Sequence, residues 1–81
     1  TKPLKDETNA DYLWRKSDAA FHAGDYERAV GLHKAIVALD PSDVESYSVA
    51  AWLLWSMGKA DDSNAFIARG LAANPNDFEM W

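Results

Sequence analysis

The sequence predicts an all-α chain in which αα-hairpins repeat along its length. The first observation is a period: Gly24 and Gly58 are 34 residues apart, and so are Pro41 and Pro75. The second is the sequence between these residues, which is rich in Ala, Leu, Glu and Lys and therefore favours helices. The third is that no stretch alternates apolar and polar residues, as a half-buried strand requires. A fixed period of this length indicates a structural repeat.

The composition limits both the size of the protein and its partners. A chain of 81 residues, 48% hydrophobic and 26% charged, is expected to form one small soluble domain. Its net charge of −5, without a local cluster of Lys and Arg, argues against binding to nucleic acid or to an anionic membrane. The longest apolar run, residues 49–55, is about a third of a membrane-spanning helix. The absence of cysteine excludes disulfides and leaves the compartment open, with the cytoplasm favoured.

The order of the predicted segments follows from these repeated glycine and proline positions. Residues 1–8 are polar and without periodicity, and they predict a flexible lead-in, whereas residues 9–81 predict a single repeat domain. Each helical segment has a length that is typical of a globular protein. Helices are predicted at Asn9–Ala23, Tyr26–Leu39, Val44–Met57 and Asp61–Ala73.

The helix ends are predicted from local chemistry. Starts are expected where a short polar side chain can accept a hydrogen bond from the first turn and an acidic residue follows three positions later. Gly24 and Gly58 predict tight turns, because glycine adopts the left-handed conformation that ends a helix. Pro41 and Pro75 end the second helix of each pair. The start signatures are Thr8-x-x-Asp11, Ser42-x-x-Glu45 and Asn76-x-x-Glu79.

A 34-residue helix pair with glycine at its turn and proline at its end resembles the tetratricopeptide repeat (TPR). The likeness is strongest at residues 24–30 (GDYERAV) and residues 39–42 (LDPS). It implies a right-handed superhelix, an α-solenoid, in which Ala29 and Ser63 stand where the two helices of each repeat touch. The implied units are repeat one at 10–43, repeat two at 44–77, and a third repeat or capping helix that begins at 78–81.

The chain also departs from the TPR pattern. The position of the family's opening tryptophan holds Leu13 in repeat one and Tyr47 in repeat two. The resemblance therefore depends on period and punctuation more than on residue identity. A related helical repeat with the same layout is the alternative.

No residue pattern predicts an enzyme, a metal site or a cofactor. His22 and His33 lie on different helices, and no carboxylate or thiol completes a metal-ligand spacing around them. His33 stands where the TPR family has an aromatic residue, which implies a packed ring, while His22 is expected in solvent near a helix end. Asp61 and Asp62 suit the first turn of a helix, where acids complement the dipole. No phosphate-binding loop or nucleophile motif is found.

The resemblance implies a function in protein binding. In TPR proteins the first helices of successive repeats line a concave groove that takes a peptide or a helix of a partner. Because these positions are aromatic and acidic here, the expected partner is an apolar or basic protein segment, and aromatic residues are enriched at binding hot spots. Carried onto this sequence, the groove residues are Asp11, Trp14, Asp18, Phe21, His22, Glu45, Ser48, Trp52 and Trp55.

Two alternatives remain at this stage. Trp52 and Trp55 lie in an apolar run and are as consistent with burial between helices as with the groove, whereas Trp14, beside Arg15 and Lys16, is expected to be exposed. In addition, stable arrays generally need about three repeats, since each repeat buries its apolar face against its neighbour. Either further repeats or a second copy would then cover repeat two, so that self-assembly into a homo-oligomer is the alternative function.

Overall fold

The computed structural model describes residues 7–76, which form two αα-hairpins. Each helix packs against the next along the chain, and no strand occurs among residues 7–76. The predicted all-α class is confirmed, and each predicted helix boundary agrees within one residue. The predicted lead-in up to residue 6, the start of a third repeat and the signature that includes Glu79 lie outside the described residues. The helices are α1 (Asn9–His22), α2 (Tyr26–Leu39), α3 (Val44–Ser56) and α4 (Ala60–Ala73).

Both predicted glycine turns are present. Gly24 and Gly58 have φ angles of 81° and 80°, in the left-handed region that glycine enters without steric cost. This conformation lets the next residue fold back on the helix that has just ended. The N–H of Asp25 donates to the carbonyl of Ala20 at 2.8 Å, and an equivalent bond of 2.9 Å follows Gly58. The two turns are thus built alike, one period apart.

The helix starts agree with the sequence prediction in one case and differ in another. Thr8 caps α1, because its Oγ1 accepts from the backbone N–H of Asp11 at 3.0 Å. The prediction of Ser42 as the cap of α3 was wrong. Asp43 caps that helix through its Oδ1, whereas the hydroxyl of Ser42 donates to Asp40 at 2.6 Å. Ser42 belongs to the turn that follows α2, so the helix begins one residue later than its signature implied.

Small residues allow the helices to approach closely. Ala29 of α2 is fully buried, and Ser63, its counterpart in α4, donates from Oγ to the backbone carbonyl of Ala51 in α3 at 2.7 Å. The rings of Tyr47 and Phe66 lie 5.1 Å apart and fill the interior between α3 and α4. The core extends through both hairpins and comprises Ala20, Ala29, Val30, Val37, Tyr47, Ala50, Leu53, Leu54 and Phe66.

A buried asparagine joins the end of repeat two to the linker between the repeats. Asn74 is 5% exposed, and its Nδ2 donates to the carbonyl of Pro41 at 2.7 Å and to that of Gly70 at 3.2 Å. A buried amide that is bonded in this way is costly to replace, because its partners would be left unsatisfied. This contact, between residues 33 positions apart, was not predicted from the sequence.

Enlarging Ala29 tests the close approach of the helices. We expect Ala29→Leu to lower the free energy of unfolding by about 1–3 kcal/mol, because the added methylenes must displace packed neighbours. Ala38→Leu is the matched control on the same helix, since Ala38 is exposed and should tolerate the change within about 0.5 kcal/mol. Urea melts of the two variants measure the difference, and equal stability would show that the position of Ala29 at the contact is wrong.

Candidate functional site

A cleft opens between α1 and α3, with α2 as its floor. Its volume is ≈ 250 Å³. The helices place it where the two repeats meet, because α3 packs against α2 while α1 flanks the other side. We call it the aromatic cleft. It is lined by Trp14, Ser17, Asp18 and Phe21 of α1, by Ala29 and His33 of α2, and by Val49, Trp52 and Leu53 of α3.

Aromatic rings form the rim of the cleft on both sides. The ring centroids of Phe21 and Trp52 are 6.2 Å apart, and Tyr26 lies 5.6 Å from Phe21. Trp52 is 55% exposed and Trp55 is 66% exposed. The alternative in which these two tryptophans are buried between helices is therefore wrong, because the described residues leave their rings in solvent.

Trp14 is more buried than its charged neighbours suggested. Its indole Nε1 donates to Asp43 Oδ2 at 2.7 Å, and the edge of its ring meets the ring of His33 with centroids 4.6 Å apart. The expectation of an exposed Trp14 was wrong, since the residue that caps α3 reaches back 29 positions to hold the indole. Trp14 lines the cleft and also joins α1 to the cap of α3.

His33 closes the floor of the cleft as a packed ring, as predicted. It is 2% exposed, and its Nδ1 lies 3.1 Å from the hydroxyl of Ser46. Burial lowers the pKa of His33 because the charged imidazolium would lose hydration, and the nearby carboxylate of Asp43 partly opposes this effect. The floor of the cleft therefore carries a neutral imidazole near pH 7.

Asp18 supplies a negative charge at the rim. Its carboxylate is 72% exposed and lies 3.7 Å from Nε2 of His22, which is equally exposed. Three further residues that were predicted for the groove, Asp11, His22 and Glu45, are exposed but line neither this cleft nor the surface described next. The structure therefore brings together Trp14, Asp18, Phe21 and Trp52 from the predicted set.

A second concavity of ≈ 420 Å³ lies beside the first around α3, against α4. We call it the α3–α4 face. Predicted residues Ser48 and Trp55 fall here, and Trp52 borders both sites. Its lining is Ser48, Ala51, Trp52, Trp55, Ser63, Asn64 and Ile67.

The two concavities occupy equivalent positions in the two repeats, 34 residues apart. The concavity of repeat one has α3 packed beside it, which adds Val49 and Leu53 to its wall. No described residue covers the equivalent concavity of repeat two. The equivalent pairs, each 34 residues apart, are Trp14/Ser48, Ser17/Ala51, Asp18/Trp52, Phe21/Trp55, Ala29/Ser63 and His33/Ile67.

Sequence reasoning missed the floor of the cleft. It assigned Ala29 and His33 to packing only, and it did not consider Ser17 or Leu53 for the site. The signal that could have found the first two is their spacing of four residues on α2, which places both on the side that faces α1. No signal along α3 indicated that Leu53 reaches the same cleft.

Comparison with known proteins identifies the class of the fold. The Tetratricopeptide repeat family matches residues 20–81, more than half of the chain, so this protein belongs to that family. Tetratricopeptide repeats generally mediate protein–protein interactions and are typically non-catalytic. No curated protein and no solved structure shows a significant match. Within residues 7–76, no three His, Cys, Asp or Glu side chains gather as metal ligands, and no helix is long and apolar enough to span a membrane.

The buried His33 predicts a specific loss of stability in mild acid. Because its folded-state pKa is lowered, the unfolded chain binds the proton first, so stability is complete above the unfolded value of about 6.5 and falls as pH decreases towards the folded value. We expect urea melts at pH 7.5 and pH 5.5 to show this loss in the parent and in His22→Gln, and a smaller loss in His33→Gln. Equal losses in all three proteins would contradict the assignment to His33.

Proposed function

We propose that this chain is a protein-binding module whose aromatic cleft takes a segment of a partner protein. The observation that carries the proposal is the placement of Phe21 and Trp52, whose rings meet from α1 and α3 at the rim of the cleft and remain partly exposed. Exposed aromatic residues at a concave surface are the type that dominates binding energy in protein interfaces. This site extends the general role of tetratricopeptide repeats to particular residues.

The shape and charge of the cleft indicate which kind of segment it takes. Its volume of ≈ 250 Å³ lies below the range of about 300–1,000 Å³ that is usual for small-molecule sites, so it suits one or two side chains of a longer segment. Its walls are mainly apolar, and the carboxylate of Asp18 stands at its rim. With a net charge of −5 on the chain, an apolar or basic segment is the complementary partner.

Phe21 and Trp55 form a matched pair for testing the cleft. Each is a large exposed aromatic residue, but Phe21 lines only the aromatic cleft and Trp55 lines only the α3–α4 face. We expect Phe21→Ala to weaken the binding of the best peptide from a random 12-residue phage display library by about 30-fold, as truncation of a hot spot does. Trp55→Ala should bind that peptide as the parent does. Isothermal titration calorimetry of the synthetic peptide measures both affinities.

Stability measurements separate recognition from folding in this experiment. Because Phe21 and Trp55 are exposed, both alanine variants should unfold within about 1 kcal/mol of the parent in urea. A Phe21→Ala variant that unfolds early would place the ring in the core. If Trp55→Ala lost affinity for the peptide and Phe21→Ala retained it, the binding site would be the α3–α4 face.

Self-association through the α3–α4 face is the second candidate function. The observation that favours it is the repeat equivalence, since the corresponding surface in repeat one has a helix packed beside it. None of the residues that line the face is charged, so two copies could meet there without repulsion between like charges. Trp52 and Trp55 would supply most of the buried apolar area.

The charges on α1 indicate that two copies would pair through their α3–α4 faces and would not stack head to tail. In head-to-tail stacking, α1 of one copy would pack against repeat two of the next copy, as α3 packs against repeat one within the chain. The α1 residues 34 positions before Val49 and Ala50 are Arg15 and Lys16, and Arg15 is paired with Glu7 at 3.1 Å. Burying those charges would be costly. A symmetric pairing of two α3–α4 faces closes as a dimer instead.

A charge placed in the α3–α4 face tests this association. We expect sedimentation across a concentration series to show a monomer–dimer equilibrium in the parent, and Trp55→Glu to remain monomeric because two carboxylates would meet in an apolar contact. Phe21→Glu, the matched control in the aromatic cleft, should dimerise as the parent does. A parent that stays monomeric up to millimolar concentration, or that forms open polymers, would contradict the symmetric dimer.

A further inference from the structure

Building on the proposed binding function, we propose that the aromatic cleft is a site for one lysine or arginine side chain of the partner segment. The aliphatic stem lies against the apolar walls at Phe21 and Trp52, and the cationic head group lies at the rim beside the carboxylate of Asp18. The bound group is thus a cationic side chain, whereas the proposed function allows either an apolar or a basic segment.

The first support is that the cleft is apolar at its floor and acidic at its rim. The floor holds Ala29 and the wall holds Leu53, both buried and apolar, whereas Asp18 is largely in solvent at the rim. Lysine and arginine match this gradient, because their stems bury against apolar surface while their charged ends stay hydrated. A purely apolar side chain would fill the depth but would leave the carboxylate without a counter-charge.

The second support is the aromatic content of the rim. A cation is attracted to the face of an aromatic ring within about 6 Å of its centroid. The rings of Phe21 and Trp52 meet in a tilted contact, with planes inclined by 49° and centroids 6.2 Å apart, and both rings keep exposed surface that a cation can approach. Arg69 lies 5.2 Å from the ring centroid of Phe66, which shows the same contact elsewhere in this chain.

The third support is the charge of the remaining lining. No lysine or arginine lines the cleft, and the imidazole of His33 is buried and held by the hydroxyl of Ser46. Within residues 7–76, the only ion-pair partner of Asp18 is His22, at 3.7 Å, which carries a charge only when it is protonated. A carboxylate-bearing side chain would therefore find repulsion at the rim, whereas a cation finds an acid and two rings.

The test uses four synthetic peptides that differ at one position. They are acetylated and amidated pentapeptides, Ala-Leu-Xaa-Leu-Ala, in which Xaa is lysine, arginine, norleucine or glutamate. Titration at pH 8 is followed by the indole N–H signals in NMR, where Trp14 reports only the aromatic cleft and Trp55 only the α3–α4 face. We expect the two cationic peptides to shift the signals of Trp14 and Trp52, to leave that of Trp55 in place, and to bind about 5-fold tighter than the norleucine peptide.

Two carboxylate variants decide whether the charge at the rim is responsible. Asp18→Asn should remove most of the preference for lysine over norleucine, and Asp61→Asn, an exposed carboxylate at the start of α4, should retain it. Equal binding of the lysine and norleucine peptides at the cleft would overturn this inference and leave the proposed function standing. Lysine peptide binding that survives Phe21→Ala unchanged would overturn both, because the cleft would then not be the site.

Discussion

A single carboxylate bonds the start of α3 to α1 across the junction between the two hairpins. Asp43 caps α3 through Oδ1 and accepts the indole N–H of Trp14 through Oδ2, so the start of one repeat is bonded to the first helix of the other. Three residues into α3, Ser46 meets the ring of His33. Hydrogen bonds to a charged acceptor contribute about 1.5–3 kcal/mol each, which is a large share for a chain of this size. This junction holds α1 and α3 together at Trp14, which is one of the residues that line the aromatic cleft.

Repetition gives the molecule two versions of one surface, and substitution has made them different. At the position where repeat one has Asp18, repeat two has Trp52, and where repeat one has Phe21, repeat two has Trp55. The aromatic cleft is the smaller of the two and carries the carboxylate of Asp18, while the α3–α4 face is larger, aromatic and without charge. A 34-residue period therefore generates two equivalent surfaces with different linings, which we propose bind a cationic side chain and an apolar surface respectively.

The parts of the site that could be predicted are those that depend on local spacing. The resemblance to the tetratricopeptide repeat placed Phe21 and Trp52 in the groove, although Trp52 was equally consistent with burial, and the structure shows both at one cleft with their rings partly exposed. Trp14 could not be judged in this way, since its burial depends on Asp43, which is distant in sequence and near only after the repeats have packed. The same reason applies to Asn74, whose amide bonds a carbonyl in the linker between the repeats. Neighbouring residues in the sequence carry no information about such partners.

The sequence by itself determined the number of helices, their ends and their pairing. These follow from short-range chemistry: glycine at a positive φ ends a helix, proline prevents its continuation, and a side chain such as that of Thr8 caps the next turn. Only the tertiary structure decided which aromatic residues are exposed, which carboxylate holds the junction and which residues form the floor of the cleft. Those outcomes depend on how closely the helices approach, and that distance is set by contacts between residues many positions apart, of which the 2.7 Å bond from Trp14 to Asp43 is the clearest.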